Sequence, residues 1–294
     1  MMKIPTSVAI FAKPGCDDDL SYTKSVVSLI TSYGITVFLP ESHRAAWEAS
    51  SAFVQFSSDE AAMIEAADMI LVLGGDGTMI RYGVRAAMCN KPTVGVNLGT
   101  LGFLTALERT ELQKLSAVCT GNYTIEERML LYAEIRDKNG AVLHHQHILN
   151  DVIITSGLRS KIAEFSLYSQ NGMVLDYRSD GVIVATPTGS TAYSFSAGGP
   201  VVDPTARIIS VTPLCPHTLL RGSVLMAPDT ELRICGKTRD DDFTDIHVTM
   251  DGKNSRLIPS DAFVHIVRSP YTLGIVKIGP NRFYDILETK LNKK

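Results

Sequence analysis

Residues 69–81, MILVLGGDGTMIR, decide how the first part of this chain folds. Five apolar residues end at two glycines, and the aspartate, glycine and threonine that follow lead into a segment with helical spacing. A short apolar run bounded by glycines and followed by a helix is typical of a strand–turn–helix unit. Because the run is apolar on both faces, it predicts a strand buried in a parallel sheet.

The same alternation extends through about the first 120 residues. Short apolar runs predict strands, and the amphipathic or alanine-rich segments between them predict helices. The acidic residues 17–19 suit the positive end of one such helix. The predicted strands are 8–12, 35–40, 69–73 and 93–97, and the predicted helices are 17–33, 59–67 and 78–88. This pattern predicts an α/β N-terminal Rossmann-like domain.

The sequence changes character after about residue 121. Short alternating stretches appear, separated by Asn-Gly or Asp-Gly pairs at 139–140, 171–172 and 251–252. Such pairs favour the positive φ values of tight hairpins. We therefore predict a mostly antiparallel β C-terminal domain over residues 121–270, after an α/β domain over residues 1–120. A helix-like segment at 110–120 is expected to connect them.

Charge and cysteine content argue against several classes of function. The net charge of −3, from 28 basic and 31 acidic residues, gives no basic excess of the kind that nucleic-acid binders carry. No window is long and apolar enough to span a membrane. The five cysteines are scattered without a CxxC pair, which fits free thiols in a reducing compartment. These features predict a cytoplasmic protein with neither a nucleic-acid nor a membrane partner.

The loop GGDGT at 74–78 carries the first candidate chemistry. Successive glycine amides before a helix N-terminus form a concave donor site that suits phosphate. The loop matches neither the P-loop pattern GxxxxGK[ST] nor GxGxxG. Asp76 is the anomaly, because phosphate repels a lone carboxylate. Its presence is explained by a bridging metal ion, by removal of a proton from a hydroxyl, or simply by helix capping.

Two further segments suit a nucleoside. Residues 180–204, DGVIVATPTGSTAYSFSAGGPVVDP, place small hydroxyl-bearing residues and one tyrosine after an apolar strand. Small side chains expose backbone groups, and tyrosine offers a flat apolar face. Asn150 and Asp151, in LNDVII, can make directed hydrogen bonds to an adenine edge or to ribose hydroxyls. A small-residue helix packed on a sheet and a turn before a strand explain the same residues without a ligand.

Other polar residues are interpreted as structural. The histidines of HHQH at 144–147 are expected on a solvated strand, where neighbouring side chains face opposite sides. No further His or Cys spacing completes a zinc site, so we predict no metal site built from protein ligands. Ser190 lacks the GxSxG context of a nucleophile elbow. His217 is expected to be a satisfied core or loop histidine.

Taken together, these segments resemble the NAD kinase family. The resemblance rests on GGDGT at 74–78, GVNLGTLGFLT at 95–105, LNDVII at 149–154, the block at 177–204 and PLCPHTL at 213–219, in the family's order. GGDGT alone is shared with lipid kinases and, more loosely, with phosphofructokinases. The 177–204 block is much more specific, and the Asn-Glu pair with which lipid kinases continue their loop is absent.

The resemblance implies transfer of the terminal phosphoryl group of ATP to the 2′-hydroxyl of the adenosine ribose of NAD, giving NADP. It implies the two-domain architecture already predicted and adds that residues 271–294 return to the first domain. It also implies a divalent metal ion, Mg²⁺, that arrives with ATP. Members of the family are commonly homodimers or homotetramers.

The resemblance also assigns roles to individual residues. Asp76 would be the general base, and Gly74, Gly75 and Gly77 would let the phosphates approach the backbone. Arg81, one turn into the following helix, would reach a phosphate. The residues expected to bind the dinucleotide are Asn150, Asp151, Lys161, Arg178, Asp180, Thr191, Ala192, Tyr193, Ser194, Phe195 and Ser196. Lys253 stands where many relatives carry Gln, so this pattern assigns it no role.

Two other functions fit the same loop. One is a lipid or sugar kinase, and the other is a non-catalytic dinucleotide sensor on the same fold. The phosphoryl donor also stays open, since some members of the family accept inorganic polyphosphate as well as ATP. Preference for NAD over NADH and feedback by NADP leave no mark in the sequence.

Overall fold

The structure is a computed structural model that describes residues 2–47, 52–157, 162–217, 221–238, 245–280 and 283–292. The chain divides into two compact units. Unit 1 comprises residues 1–127 and 273–294, and unit 2 comprises residues 128–272.

Unit 1 is built on a parallel sheet. Its strand order is β5-β4-β1-β2-β3, and β6 pairs in parallel with the end of β5. Every residue of β4 is buried, which explains its uninterrupted apolar sequence. The strands are β1 (Ser7–Ala12), β2 (Thr36–Pro40), β3 (Val54–Ser57), β4 (Met69–Leu73), β5 (Thr93–Asn97) and β6 (Leu107–Glu108).

Helices pack on this sheet and form one core with it. The first begins later than the sequence predicts. Asp17 lies outside it, where its carboxylate accepts the N–H groups of Tyr22 and Thr23 at 3.0 and 2.7 Å. The helices are α1 (Ser21–Thr31), α2 (Glu60–Ala66), α3 (Asp76–Met88) and α4 (Ser116–Cys119), with 3₁₀ turns at Glu41–Ala46 and Arg109–Leu115.

The helix-like segment at 110–120 does not connect the two units. It forms the second of these 3₁₀ turns and α4, both within unit 1. The chain leaves unit 1 inside a long strand, β7 (Thr124–Arg136), and returns inside another, β18 (Phe263–Lys277). After its return, Ile275 pairs in parallel with Thr93 of β5, and α6 (Phe283–Asn292) follows.

Unit 2 consists mainly of antiparallel strands. One sheet has the order β14-β13-β12-β9-β16-β17, and a second set runs β11-β10-β15-β18, while β7 pairs with β8. The strands between β7 and β18 are β8 (Val142–Ile148), β9 (Asp151–Ser156), β10 (Ala163–Ser169), β11 (Gly172–Ser179), β12 (Gly181–Ala185), β13 (Ile209–Leu214), β14 (Val224–Met226), β15 (Leu232–Lys237), β16 (Ile246–Met250) and β17 (Lys253–Ile258).

The core of unit 2 lies between these layers. Phe165 of β10 and Ile234 of β15 belong to the same buried cluster as Val152 of β9 and Val184 of β12. The predicted hairpins are present at 139–140, 171–172 and 251–252, and the glycine of each has a positive φ, 86°, 111° and 65°. The predicted fold class, a Rossmann-like α/β domain followed by a mostly antiparallel β domain, is confirmed.

Among the residues that the structure describes, no helix is both long and apolar enough to cross a membrane. The five cysteines lie in described segments and are free thiols.

Candidate functional site

The loop at 74–78 lies at the switch point of the unit 1 sheet. Because β1 has β2 on one side and β4 on the other, the chain reverses direction across the sheet between β1 and β4. Open α/β sheets bind ligands at the carboxyl ends of the strands at this point. The end of β4 is hydrogen-bonded to both neighbouring strands: the Lys13 N–H after β1 donates to the Leu73 carbonyl at 2.8 Å, and the Gly74 N–H donates to the Val96 carbonyl of β5 at 2.9 Å.

The three positions in the loop are occupied by glycine for different structural reasons. A Cβ at Gly74 would lie 2.8 Å from Thr78 Oγ1 and 3.1 Å from Lys13 Cβ, so this position has no room for a side chain. A Cβ at Gly75 or Gly77 would meet nothing within 4 Å. Glycine at these two positions therefore leaves the amides at the start of α3 uncovered by side chains, with the Thr78 N–H already donating to the Gly75 carbonyl at 3.0 Å.

Asp76 does not cap the helix. The capping position is Gly75, and Asp76 is the first helical residue. Its carboxylate turns instead to the 98–106 loop, where Oδ2 accepts the Phe103 N–H and Oδ1 accepts the Leu104 N–H, both at 3.0 Å. Each oxygen keeps a second lone pair, so Asp76 fixes this loop and can still accept a hydrogen bond from a ligand.

Arg81 contacts Glu60 of α2 and Tyr82 of its own helix. Its Nη2 lies 3.6 Å from Glu60 Oε2, and its guanidinium stands 5.0 Å from the centre of the Tyr82 ring. Glu60 also accepts a hydrogen bond from the Tyr82 hydroxyl at 2.9 Å. The side chain of Arg81 is 54% exposed, so reaching a phosphate would require leaving Glu60.

In unit 2, Asn150 and Asp151 lie where β9 begins, opposite the β16–β17 turn. The N–H groups of Leu149, Asn150 and Asp151 all donate to the carboxylate of Asp251, at 2.9, 2.7 and 3.3 Å. In return, the Asp251 N–H donates to the Asp151 carbonyl at 2.9 Å. The backbone that presents Asn150 and Asp151 is thus held by a side chain about one hundred residues away.

The Asp151 carboxyl group is almost completely buried, with 3% of the residue exposed, and its Oδ2 has no hydrogen-bond partner. Burial first and the nearby Asp251 carboxylate second raise the pKa of Asp151, and the Tyr193 N–H lowers it, so that the pKa is about 7. Burial also raises the pKa of Asp251. A buried polar atom without a partner is unusual in a folded protein and marks a position that a ligand can satisfy.

The raised pKa of Asp151 gives a stability expectation. As pH rises from 3.8 to about 7, the unfolded chain releases this proton before the folded one does, so the free energy of unfolding falls across that window. The contribution is fully present below pH 3.8 and is lost as pH passes about 7. Urea unfolding of the protein and of Asp151→Asn at a series of pH values measures the difference. Equal pH slopes for both proteins would contradict the expectation.

The segment after β12 packs directly on Asn150. Thr186 N–H donates to the Asn150 carbonyl at 2.9 Å, and Thr186 Oγ1 donates to the Leu149 carbonyl at 2.5 Å. A Cβ at Gly189 would lie 2.5 Å from the Asn150 carbonyl carbon and 2.8 Å from its Cα. The tight packing anticipated for small residues in 180–204 is therefore present, in a 3₁₀ turn at Thr188–Thr191 and a short helix, α5 (Tyr193–Ser196).

The residues expected to line a nucleoside site differ in exposure. Tyr193 and Phe195 are 45% and 39% exposed. Ser194 is fully buried, and its hydroxyl contacts Thr212 Oγ1 at 3.1 Å, which gives it a structural role in this conformation. Thr191 and Ala192 are half-buried and Ser196 is exposed. The Tyr193 N–H faces the Asp151 carboxyl group, so this turn and Asp151 form one site.

Asp180 and Arg178 lie near the junction of β11 and β12. Asp180 is exposed, and its backbone pairs with Ser156 and Leu214 at 3.0 Å each. Arg178 Nε lies 3.9 Å from Glu164 Oε1, with both side chains 44% exposed. Lys161 lies outside the described residues.

The histidine-rich strand is structural in this conformation. His145 Nδ1 lies 3.0 Å from the Tyr132 hydroxyl, and His147 Nδ1 lies 2.9 Å from Ser269 Oγ. Ser190 Oγ donates to the Pro187 carbonyl at 2.7 Å and accepts the Val202 N–H, so it is not a nucleophile. No group of three or more His, Cys, Asp or Glu within the described segments could hold a metal ion.

Two residues of this region were missed by the sequence interpretation. Asp251 was noticed only as part of a hairpin turn, because its carboxylate reaches β9 through tertiary structure. Arg128 is 1% exposed, and its Nη1 donates to Thr188 Oγ1 at 3.3 Å. Arg128 follows Glu126 and Glu127 at the polar start of β7, so nothing in the sequence marked it as a buried arginine.

Comparisons with known proteins place the chain among related sequences. Family models described as the ATP-NAD kinase N-terminal and C-terminal domains match residues 8–123 and 149–278. An NAD kinase of Symbiobacterium thermophilum is 44% identical over 227 residues, which are 76% of this chain and 78% of that protein. An NAD kinase of Caldanaerobacter subterraneus subsp. tengcongensis is 36% identical over 279 residues, 95% of this chain and 96% of that one.

Two solved structures share the fold at 21% identity. A crystal structure of yeast NADH kinase complexed with NADH aligns with a TM-score of 0.87, covering 99% of this chain and 89% of that chain. A crystal structure of an NAD kinase from Archaeoglobus fulgidus in complex with ATP aligns with a TM-score of 0.70, covering 97% and 98%.

Proposed function

The chain belongs to the NAD kinase family, and on that premise we propose a division of chemical roles between its two units. The protein is a phosphotransferase that phosphorylates NAD to give NADP. In our proposal, the loop at 74–78 of unit 1 holds the phosphoryl donor and supplies the general base. The Asn150–Asp151 segment and α5 of unit 2 recognise the dinucleotide.

The observation that carries this proposal is the position of Asp76. It is the first residue of a 13-residue helix, directly after the bare glycine at 75 and at the switch point of the sheet. Its two oxygens are fixed by the N–H groups of Phe103 and Leu104 and retain free lone pairs. A carboxylate held in one orientation with capacity to accept a proton is what a general base needs.

The proposed reaction needs little covalent chemistry from the protein. The terminal phosphoryl group of ATP passes to the ribose 2′-oxygen of NAD, the bond to the leaving ADP breaks, and the hydroxyl proton passes to Asp76. Most of the rate enhancement in phosphoryl transfer comes from alignment and charge neutralisation. The amides at the start of α3 would stabilise phosphate charge, because Gly75 and Gly77 leave them uncovered.

On the dinucleotide side, Asp151 has the clearest role. Its buried Oδ2 lacks a partner, and a ribose hydroxyl would satisfy it. The half-buried Asn150 would supply an amide for the adenine edge, and the exposed rings of Tyr193 and Phe195 would supply apolar faces. Asp180, Arg178 and Lys161 stay in the proposal as further contacts, as do Thr191, Ala192 and Ser196. Arg81 would contact a phosphate only after breaking its contact with Glu60. Ser194 would contact the dinucleotide only after breaking its hydrogen bond with Thr212.

Mg²⁺ belongs to the proposal as a companion of ATP. Magnesium in such sites is bound largely through substrate phosphates and water, with one or two carboxylates. When bound it would neutralise charge on the transferred group. Asp76 is the acidic residue of the loop with lone pairs available for this purpose.

We further propose a cytoplasmic location. We also propose a homodimeric or homotetrameric assembly, and light scattering on the purified protein would test the assembly. Polyphosphate stays a second candidate donor.

The separation of roles is tested by steady-state kinetics of Asn150→Ala. The variant is expected to raise KM for NAD by about tenfold to a hundredfold, through lost hydrogen bonds in a largely buried site, while KM for ATP stays near that of the unaltered protein. Asn171→Ala, in the β10–β11 turn of the same unit, is the matched control and should change neither value. A rise in KM for ATP with no change for NAD would contradict the assignment.

The alternative functions are not favoured. A lipid or sugar kinase would share only the loop, whereas the relatives named as NAD kinases match over 76% and 95% of the chain. A sensor without catalysis would not need a fixed carboxylate at the switch point.

A further inference from the structure

The most unusual polar arrangement in unit 2 is a carboxylate enclosed by three successive backbone amides. Asp251 Oδ1 accepts the N–H groups of Asn150 and Asp151, and Oδ2 accepts that of Leu149. Successive amides that converge in this way form an anion-binding nest. Here the anion is supplied by the protein itself, from the turn between β16 and β17.

The β16–β17 turn has the backbone of a tight Asp-Gly hairpin. Asp251 and Gly252 have φ values of 50° and 65°, the positive values that such a turn requires and that these residue types adopt readily. Only 9% of Asp251 is exposed, so its carboxylate needs partners within the protein. The contacts here are the three amides and the return bond from Asp251 N–H to the Asp151 carbonyl.

The other side of the same backbone is also fixed. Thr186 binds the carbonyls of Leu149 and Asn150, and the backbone of Gly189 packs against Asn150. The N–H groups and carbonyls of this segment are therefore committed within the protein. Only the side chains of Asn150 and Asp151 are available to a ligand, and Asp151 Oδ2 is the atom that lacks a partner.

We propose that Asp251 is a positioning residue for NAD: it holds the Leu149–Asn150–Asp151 backbone so that the Asn150 and Asp151 side chains bind the dinucleotide. The inference rests on the proposed NAD-binding role of those two side chains and goes beyond it by assigning their geometry to a third residue. Asp251 does not itself touch the substrate. Its effect appears in NAD binding rather than in the chemical step.

The test is the variant Asp251→Asn in the full-length protein. Asparagine keeps the shape but replaces one oxygen with an N–H₂ group, which faces an N–H donor and cannot accept it. Asp137→Ala is the control for destabilisation, because Asp137 Oδ1 accepts two backbone N–H groups in a hairpin turn of unit 2, at 2.9 and 2.8 Å, and alanine removes both bonds. KM for NAD, KM for ATP and kcat are measured for both variants, together with thermal unfolding.

We expect Asp251→Asn to raise KM for NAD by about tenfold to a hundredfold, with KM for ATP and kcat changed less than about threefold. Asp137→Ala should lower thermal stability without changing KM for NAD, because both hairpin bonds are lost. Asp251→Glu keeps the charge and should recover part of the affinity for NAD that Asp251→Asn loses. If Asp251→Asn does not fold, Asp251→Glu takes its place as the test. Asp251→Glu should then raise KM for NAD, but by less than Asn150→Ala does.

Three results would overturn the inference. If Asn150→Ala and Asp151→Ala raise KM for NAD while folded Asp251→Asn does not, the nest is not needed for positioning, and the proposed NAD site stands without it. If Asp251→Asn and Asp137→Ala raise KM for NAD equally, the effect is general destabilisation. Unchanged NAD binding in Asn150→Ala and Asp151→Ala would remove the proposed NAD site, and the inference with it.

Discussion

Replacing Asp76 by Asn is expected to lower kcat for NADP formation by about 10²–10⁴-fold, the range usual for loss of a general base. Asparagine cannot take the proton of the 2′-hydroxyl, whereas the glycines that are proposed to hold the phosphates are unchanged. The Kd of NAD, measured by isothermal titration calorimetry, should change far less than kcat. A variant with near-normal kcat would show that Asp76 is not the base.

A second effect of this substitution has to be separated from the first. Asp76 also fixes the 98–106 loop through the N–H groups of Phe103 and Leu104, and asparagine can accept only one of them. Phe103→Pro is the control, because proline lacks the N–H that Asp76 Oδ2 accepts, so the loop loses one of its two bonds while the carboxylate stays. If loop anchoring alone explains the loss, kcat should fall equally in the two variants. If Asp76 is the base, kcat should fall much further in Asp76→Asn than in the control.

Gly189→Ala is expected to lower both NAD-dependent turnover and the stability of the fold. The added Cβ would meet the Asn150 carbonyl carbon at 2.5 Å and its Cα at 2.8 Å, and backbone atoms cannot rotate away as a side-chain end could. Displacing Asn150 by even about 1 Å should weaken NAD-dependent turnover by about a hundredfold. Overpacking of this kind should also reduce the free energy of unfolding by about 1–3 kcal/mol.

Gly222→Ala is the matched control in the same unit, since its Cβ would meet nothing within 4 Å. It should leave kcat/KM for NAD and the urea midpoint close to those of the unaltered protein. If Gly189→Ala behaves like Gly222→Ala in the kinetic measurement, Asn150 is not held at a critical position. A crystal structure of Gly189→Ala would then reveal how the backbone accommodates the methyl group.

The sequence predicted those features that depend on local patterns. The apolar run of β4 and the glycines after it determined the strand, the turn and α3, because burial and turn conformation are local properties. The three Asn-Gly or Asp-Gly hairpins followed for the same reason, since positive φ is a property of these residue types.

Features that depend on tertiary contact were not predictable in this way. Nothing in GGDGT indicates that Asp76 accepts the amides of residues 103 and 104, which lie on a different loop. The reach of Asp251 across about one hundred residues to β9 is equally invisible in the sequence. The helical position of Arg81 suggested a phosphate contact, but the sequence could not reveal that Glu60 of α2 would engage it.

The central claim is that this chain transfers a phosphoryl group from ATP to NAD with Asp76 as the base. The most direct measurement incubates purified protein and Asp76→Asn with Mg²⁺ and ATP, in parallel with NAD and with a diacylglycerol, and identifies the phosphorylated product by mass spectrometry. The expected result is 2′-phosphorylated NAD from the unaltered protein alone. Phosphorylated lipid with untouched NAD, or equal NADP formation by both proteins, would contradict the account.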